Sequence, residues 1–434
     1  MLNTLRNAWK VADIRKKLLY TFFMLLLFRL VGMLPVQGIN ASAIKEATKN
    51  LDALNILNMM TGNSFEQMTI MAMGITPYIN ASIIIQLLTI AIPSLERLAK
   101  DGGEEGKEKI NKITRYSTVV LAALQAIGIL AALRTASAAN GAGNVLLPAY
   151  NNFFGLLSIG VVMAGGTALA MWIGERITAK GIGNGISMLI FAGIISNVFN
   201  GMLTAFLGVI GVAQNNNTTL LQFILLIIIT LVVITAVTFV DLGERRVPVQ
   251  YAKRVVGRKM YGGQSTHIPI KVMSVGVLPL IFAYSFMSVP GTLIAILGPR
   301  SGFAGWWHTN MGEGAFLNML VLSLLIIGFT YFYSSISFNP QDIAKNINQQ
   351  GGTIPGIRSG RTTVEFLAKT TNRLTLFAGI FLAVLATVPT FLRVWQSVPI
   401  PFAASSMLIC VSVAIETVRQ LEAQLVMRNY DGFL

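Results

Sequence analysis

An all-α polytopic membrane protein is the fold class that the sequence predicts, on three observations. Ten long apolar stretches carry almost no charge, and only 12% of the 434 residues are charged against 54% hydrophobic. The basic residues crowd the loops on one side of those stretches. A soluble domain of this size is roughly a quarter charged. A helix needs about 20 apolar residues to cross a hydrocarbon core of roughly 30 Å. Candidate spans lie near 18–36, 71–92, 116–136, 153–173, 185–205, 219–240, 272–296, 315–337, 374–392 and 400–418. A charge at the centre of a span costs about 2.5–3.5 kcal/mol on insertion scales, so the loops must carry the ions. Arg29 alone lies well inside a span.

Residues 1–17 alternate Arg6, Lys10, Arg15, Lys16 and Lys17 with Leu2, Leu5, Trp9 and Ile14. Such an amphipathic segment lies along a membrane surface, where its cations meet anionic lipid. The first apolar run is too long for a cleavable signal and lacks a small-residue cleavage site. With the N-terminus in the cytoplasm, the external loops hold five basic residues (Lys45, Lys49, Arg134, Arg300, Arg393) against four acidic (Glu46, Asp52, Glu66, Glu313). Setting Arg29 aside, 27 of the chain's 33 basic and 14 of its 18 acidic residues fall on the other side. The positive-inside rule therefore puts both termini in the cytoplasm. The expected organisation is a surface segment (1–17), an N-terminal half (18–210), a C-terminal half (211–418) and a cytoplasmic tail (419–434).

Chemistry-bearing motifs are scarce. His267 and His308 have no metal-ligand spacing to a second ligand, and no nucleophile–base pair stands out. Gly181-Ile182-Gly183-Asn184-Gly185 follows a span rather than a strand, so it reads as a flexible helix start and not as a phosphate loop. The single cysteine, Cys410, lies inside the last span and reads as a small packed apolar side chain. These features call for no cofactor and no enzyme. Ion-coupled transporters carry intramembrane carboxylates, whereas Glu175, Asp241 and Glu416 all fall at cytoplasmic span ends. A solute transporter or a passive ribosome-tethering scaffold stays open as an alternative.

The chain shows a duplication. Gly74-Ile75-Thr76-Pro77-Tyr78-Ile79 opens span 2, and Gly276-Val277-Leu278-Pro279-Leu280-Ile281 lies in span 7. Both read Gly-x-x-Pro-x-Ile at equivalent places in two five-span halves. Five is odd, so the halves would be inverted repeats. The proline is expected to remove a ladder hydrogen bond, tolerable where neighbours or a wet cavity satisfy the carbonyl. Helical stripes through these isoleucines turn polar toward one side. Ile75, Ile79, Ser82, Gln86 and Thr89 share a face in span 2, and Ile281, Ser285, Ser288 and Thr292 in span 7. In span 5 the stripe is Ile186, Ile190, Gly193, Asn197 and Asn200; in span 10, Ile409 lies one turn from Ser405. The pattern fits an hourglass with an apolar waist and wet funnels.

Before span 2, residues 62–73 include Asn63, Ser64, Phe65, Glu66, Gln67, Met68, Thr69, Ile70, Met71 and Ala72. They are too polar to face lipid, and a short half-helix folded into the outer funnel would suit them. Two long cytoplasmic loops carry the basic charge. Loop 241–271 has Arg245, Arg246, Lys253, Arg254, Arg258, Lys259 and Lys271 with Tyr251 and Tyr261, and loop 338–373 has Arg358 and Arg361 beside Pro355 and four glycines. Basic residues among aromatics suit a phosphate backbone or an acidic protein surface.

In these segments the chain strongly resembles the SecY/Sec61-alpha family, whose bacterial members are central channel subunits of the Sec protein translocase. The matching runs are Thr76–Leu88, Lys180–Ser187, Tyr251–Arg254, Gln264–Pro269 and Pro355–Arg358, in family order. The resemblance implies two inverted five-helix halves forming a clam-shell channel. It implies a pore ring of Ile75, Ile79, Ile186, Ile190, Ile281 and Ile409, and a plug over about 62–73. It implies a lateral gate with Ser82, Gln86, Gln125, Ser285 and Ser288. Where many relatives carry an asparagine early in span 7, this chain has Met273, which weakens the polar contact expected there. The implied partners are the SecE and SecG subunits, the SecA ATPase or a ribosome on Lys253, Arg254, Arg258, Lys259, Arg358 and Arg361, anionic lipids, and signal-peptide-bearing polypeptides. The implied location is the bacterial plasma membrane.

Overall fold

The structure is a computed structural model and describes residues 6, 8–40, 44, 64–65, 67–100, 102–140, 145–210, 220–251, 254–256, 259–261, 265–276, 278–297, 302–312, 315–396 and 404–431. A helix falls on each of the ten predicted stretches. They are α1 (Ala12–Val31), α2 (Thr76–Ala91), α4 (Gly103–Asn140), α5 (Phe153–Lys180), α6 (Gly185–Val209), α7 (Leu220–Leu242), α8 (Leu278–Leu297), α10 (Phe316–Ser337), α12 (Arg361–Gln396) and α13 (Ala404–Asp431). Among the described residues three shorter α-helices join them: α3 (Pro93–Lys100), α9 (Gly302–Met311) and α11 (Pro340–Gln349). Among the described residues six helical segments are long and apolar enough to cross a membrane, and α2 with α3, bent by 106°, makes a seventh. The chain is therefore a multi-pass membrane protein; the helices alone establish six or seven crossings against the ten expected. In α1, Asp13, Arg15, Lys16, Lys17 and Arg29 dilute an otherwise apolar run.

The chain divides into two compact units. The first comprises Met1–Thr218, Ser288–Gly312 and Pro401–Leu434. Within it α4 packs on α2 and α5, α5 on α1 and α6, and α6 on α13. Small residues permit the close crossings. A Cβ on Gly185 would lie 1.9 Å from the Gly174 carbonyl oxygen, so α5 and α6 touch backbone to backbone there.

The second unit comprises Thr219–Met287 and Glu313–Ile400. Helices α10 and α12 pack along their length, joined by a buried hydroxyl pair, Ser334 Oγ and Thr375 Oγ1, at 2.7 Å. The Phe282 ring of α8 stacks on Phe329 and Tyr333 at 5.4 and 4.8 Å between centroids.

The all-α expectation misses a small sheet in this unit. Strand β1 (Glu244–Tyr251) pairs antiparallel with β4 (Ser265–Lys271) and, at Gln250 and Tyr251 only, with β5 (Gly352–Thr353). Between β1 and β4, β2 (Arg254–Val256) and β3 (Lys259–Tyr261) form a separate two-stranded hairpin. Alternation explains β1: Val247 and Val249 point into a core with Ile270, Ala344, Ile347 and Ile354, while Arg246, Pro248 and Gln250 are exposed. Pro248 is tolerated because β5 does not reach it.

Candidate functional site

The described residues of the two copies of the duplicated motif share two features. Gly74 and Gly276 have left-handed φ of 52° and 63°, a region open to glycine without penalty. Two residues later a helix begins, at Thr76 for α2 and Leu278 for α8. Pro77 and Pro279 are thus second helical residues, whose N–H has no intrahelical partner in any helix. This corrects the expectation of a broken ladder: no helical hydrogen bond is lost at either proline.

In the first unit the motif lines a cleft. Ile75 and Ile79 of the α2 start meet Ile190 of α6, with Phe28 of α1, Gly74, Thr76 and Leu189 completing the wall. The open volume is ≈ 10 Å³, about that of one water. Ile75, Ile79 and Ile190 are each buried, and Thr76 is the one polar side chain of the lining. Three of the six expected ring residues thus meet here. Ile186 instead lays its Cγ1 against Gly174 of α5, 3.0 Å from where a Cβ would stand. Ile409 is buried on α13, which packs on α6. Ile281, half-buried on α8, belongs to the second unit.

Phe28 and Leu189 are lining residues the sequence reading missed. Leu189 adjoins a marked isoleucine. For Phe28 the available signal was a seven-residue spacing, because the buried residues of α1 are Ile14, Thr21 and Phe28. The neighbouring Arg29 is not well inside a span: it lies in the last turn of α1, which ends at Val31. There the C-terminal carbonyls favour a cation, and its Nη2 donates to Ser196 Oγ on α6 at 2.6 Å.

The segment leading into the motif is firmly held. Asn63 and Glu66 lie outside the described residues, and Ser64, Phe65 and Gln67 to Ile75 run as turns with a bridge at Thr69, where a half-helix was expected. The backbone is committed elsewhere. Val36 N–H donates to the Met68 carbonyl at 2.9 Å, Ile70 N–H to the Leu34 carbonyl at 2.9 Å, and Pro35 bridges Thr69. Met68 takes a left-handed φ of 44°, incompatible with a continuing helix. Ser64 Oγ donates to the Gly32 carbonyl, and Thr69 Oγ1 to that of Ser64. Phe65, Met68, Ala72 and Met73 are buried against Ala126 and Leu130 of α4 and Met163 of α5, and Met71 is also buried. Gln67 alone of the described polar residues here is exposed. The Ile70 carbonyl presses on Gly166 of α5, where a Cβ would approach to 1.9 Å.

The remaining expected residues are dispersed. Ser82 and Gln125 are half-buried on α2 and α4, while Gln86 is exposed. Ser285 and Ser288 lie on α8, on either side of the division between the units. Lys253 and Arg258 fall outside the described residues; Arg254 and Lys259 sit in β2 and β3. Met273 is buried in the turn before α8, not in the helix. Arg358 is exposed on a shaped loop and Arg361 is exposed as the first residue of α12, with left-handed glycines at 351, 356 and 360. Thr363 Oγ1 donates to the Arg358 carbonyl at 3.0 Å, and Arg361 Nε to Glu365 at 3.1 Å.

Apolar helices around a narrow, almost donor-free cleft, with a packed segment leading into it, define a polytopic helical membrane protein built around a constriction. Comparison with known proteins is specific. The SecY family profile matches residues 69–418. The protein translocase subunit SecY of Streptomyces scabiei is 41% identical over 445 residues, covering 100% of both chains. The chain belongs to the SecY family. Its fold is shared with a solved structure described as that of a protein conducting channel (TM-score 0.65, 19% identity, 94% of this chain and 91% of that one). It is also shared with Sec61 in the canine ribosome-channel complex from the endoplasmic reticulum (TM-score 0.61, 17% identity, 94% and 91%).

Proposed function

We propose that the chain is the protein-conducting channel of a bacterial plasma membrane, with both termini in the cytoplasm. The observation that carries this reading is the isoleucine cleft of Ile75, Ile79 and Ile190, entered by a segment in which Phe65, Met68, Met71, Ala72 and Met73 are buried. An unfolded polypeptide passes the ring of Ile75, Ile79, Ile186, Ile190, Ile281 and Ile409, where isoleucines offer contact without hydrogen bonds and so hold no sequence tightly. When idle, the apolar ring and the plug at about 62–73 exclude ions, because an unpaired ion pays a large desolvation cost there. A hydrophobic segment leaves sideways between spans 2 and 3 and spans 7 and 8, past Ser82, Gln86, Gln125, Ser285 and Ser288. It gains about 0.3–0.6 kcal/mol per Leu-like residue in lipid, and a polar segment continues across.

The channel performs no chemistry and supplies no energy. SecA or a ribosome docks on the basic loops through Lys253, Arg254, Arg258, Lys259, Arg358 and Arg361, while SecE clamps the two halves and SecG is peripheral. The 1–17 segment lies on anionic lipid. The test is protease protection of a signal-bearing precursor in vesicles holding this chain, the SecE-type subunit, the motor and ATP. Protection should need ATP and should fall steeply with Arg358→Glu, a variant that inserts normally. No protection with all partners bound would move weight to a solute transporter or a tethering scaffold.

A further inference from the structure

The Gly181–Asn184 turn, read from sequence as flexible, is among the most tightly held parts of the first unit, and the cleft does not account for it. Its Ile182 is buried against Ala8, Ile14 and Leu421. Ile182 N–H donates to Thr21 Oγ1 at 3.1 Å, and that hydroxyl donates in turn to the Lys17 carbonyl at 2.9 Å. A Cβ at Gly181 would lie 2.4 Å from Thr21 Oγ1, so glycine is needed for the hydroxyl to reach the turn. On the other flank Thr178 Oγ1 accepts from Gly185 N–H at 2.9 Å. Asn184 Oδ1 then caps α6, accepting from Ile186 and Ser187 N–H at 3.1 and 3.4 Å.

The turn matters for the helix it starts. Ile186 and Ile190 are the second and sixth residues of α6, beginning at Gly185, so the turn fixes their height and rotation. Thr21 lies seven residues before Phe28 on the single buried stripe of α1, and Phe28 walls the cleft opposite α6. One hydroxyl therefore ties the start of α6 to the helix that carries Phe28.

We propose that Thr21 is a positioning residue for the constriction: its hydroxyl, admitted by Gly181, locks the α6 start to α1 and holds Ile190 against Phe28 in the closed state. This rests on the cleft being the channel's constriction, so the experiment separates the two. The intact chain with its SecE-type subunit is reconstituted in proteoliposomes, and chloride efflux is measured for Thr21→Val, Thr21→Ser, Gly181→Ala and Ile190→Asn at equal inserted amounts. Thr21→Val keeps the shape but orphans a buried N–H, and efflux should rise roughly tenfold, the scale set by one unsatisfied buried group. Gly181→Ala should do the same, and Thr21→Ser should restore near-basal efflux. Basal efflux in Thr21→Val beside a leaking Ile190→Asn would overturn the positioning role alone, as would a Thr21→Ser variant that leaks like valine. A tight Ile190→Asn channel would overturn the constriction and the inference with it. Should Thr21→Val not accumulate, amide exchange in the unaltered protein decides: a slowly exchanging Ile182 N–H is expected, and a fast one would sink the proposal.

Discussion

The two Gly-x-x-Pro-x-Ile motifs share a left-handed glycine and a helix start and differ in what precedes them. Each has a left-handed glycine followed by a helix with proline at its second position. Gly74 is reached through a run of turns bonded to residues 32–36 and buried under α4 and α5. Gly276 is reached from β4 through a short turn, with Val272 N–H donating to the Gly243 carbonyl. A Cβ at Gly276 would meet nothing within 4 Å, whereas Gly74 is buried and lines the cleft. The duplicated element is a way of starting a helix. Closure, in the proposed channel, was added to one copy only, by the segment in front of it.

The largest expected effect breaks that asymmetry. Gly166→Ala drives a Cβ into the Ile70 carbonyl, a backbone atom 1.9 Å away, and overpacking of this kind costs about 1–3 kcal/mol. The segment should lift from α5 and proteoliposomes should leak. Gly165→Ala, next door with nothing within 4 Å, is the matched control. Equal ion flux through the two variants would show that the packed segment does not close the cleft.

A smaller effect sharpens the same contrast. Alanine in a left-handed conformation costs about 1–2 kcal/mol, so Gly74→Ala and Gly276→Ala should lower the unfolding midpoint in detergent to a similar degree. Leak should accompany Gly74→Ala alone, because only that glycine lines the cleft. A leak from Gly276→Ala of the same size would mean that closure depends equally on both copies.

How much of this was legible in the sequence varies with the kind of signal. Helix positions were legible because twenty-residue apolarity is a composition signal that tertiary contacts do not override, although six or seven of the ten helices pass as membrane spans. The stripes through Ile75 and Ile79 in span 2 and through Ile190 in span 5 were legible as helical spacing, and these three residues line one cleft. The contact of Ile186 with Gly174 was not legible, because it depends on how closely α5 approaches α6, which Gly174 and Gly185 set together. The sheet was hidden by its charge: Arg245 and Arg246 drew a topological reading, although Val247, Val249 and Tyr251 alternate against Ile268 and Ile270. The turns at 64–75 were hidden for a different reason. Their hydrogen-bond partners, Leu34 and Val36, lie more than thirty residues earlier in the chain, and local pattern carries no trace of them.

The smallest expected effect concerns the prolines, and its sign is what matters. Were Pro77 and Pro279 interior helix breakers, replacing either by alanine would restore a hydrogen bond and stabilise the protein by up to about 3 kcal/mol. Placed second in their helices, they remove no bond and only restrict the unfolded chain. Pro77→Ala and Pro279→Ala should then each destabilise by about 0.4–1 kcal/mol, equally in both copies, with efflux unchanged. The check is an unfolding titration of both variants beside the parent. A gain in stability at either site would place that proline inside a ladder and undo the equivalence of the two motifs. Equal small losses would leave the preceding segment, and not the helix start, as the difference between a copy that seals and one that does not.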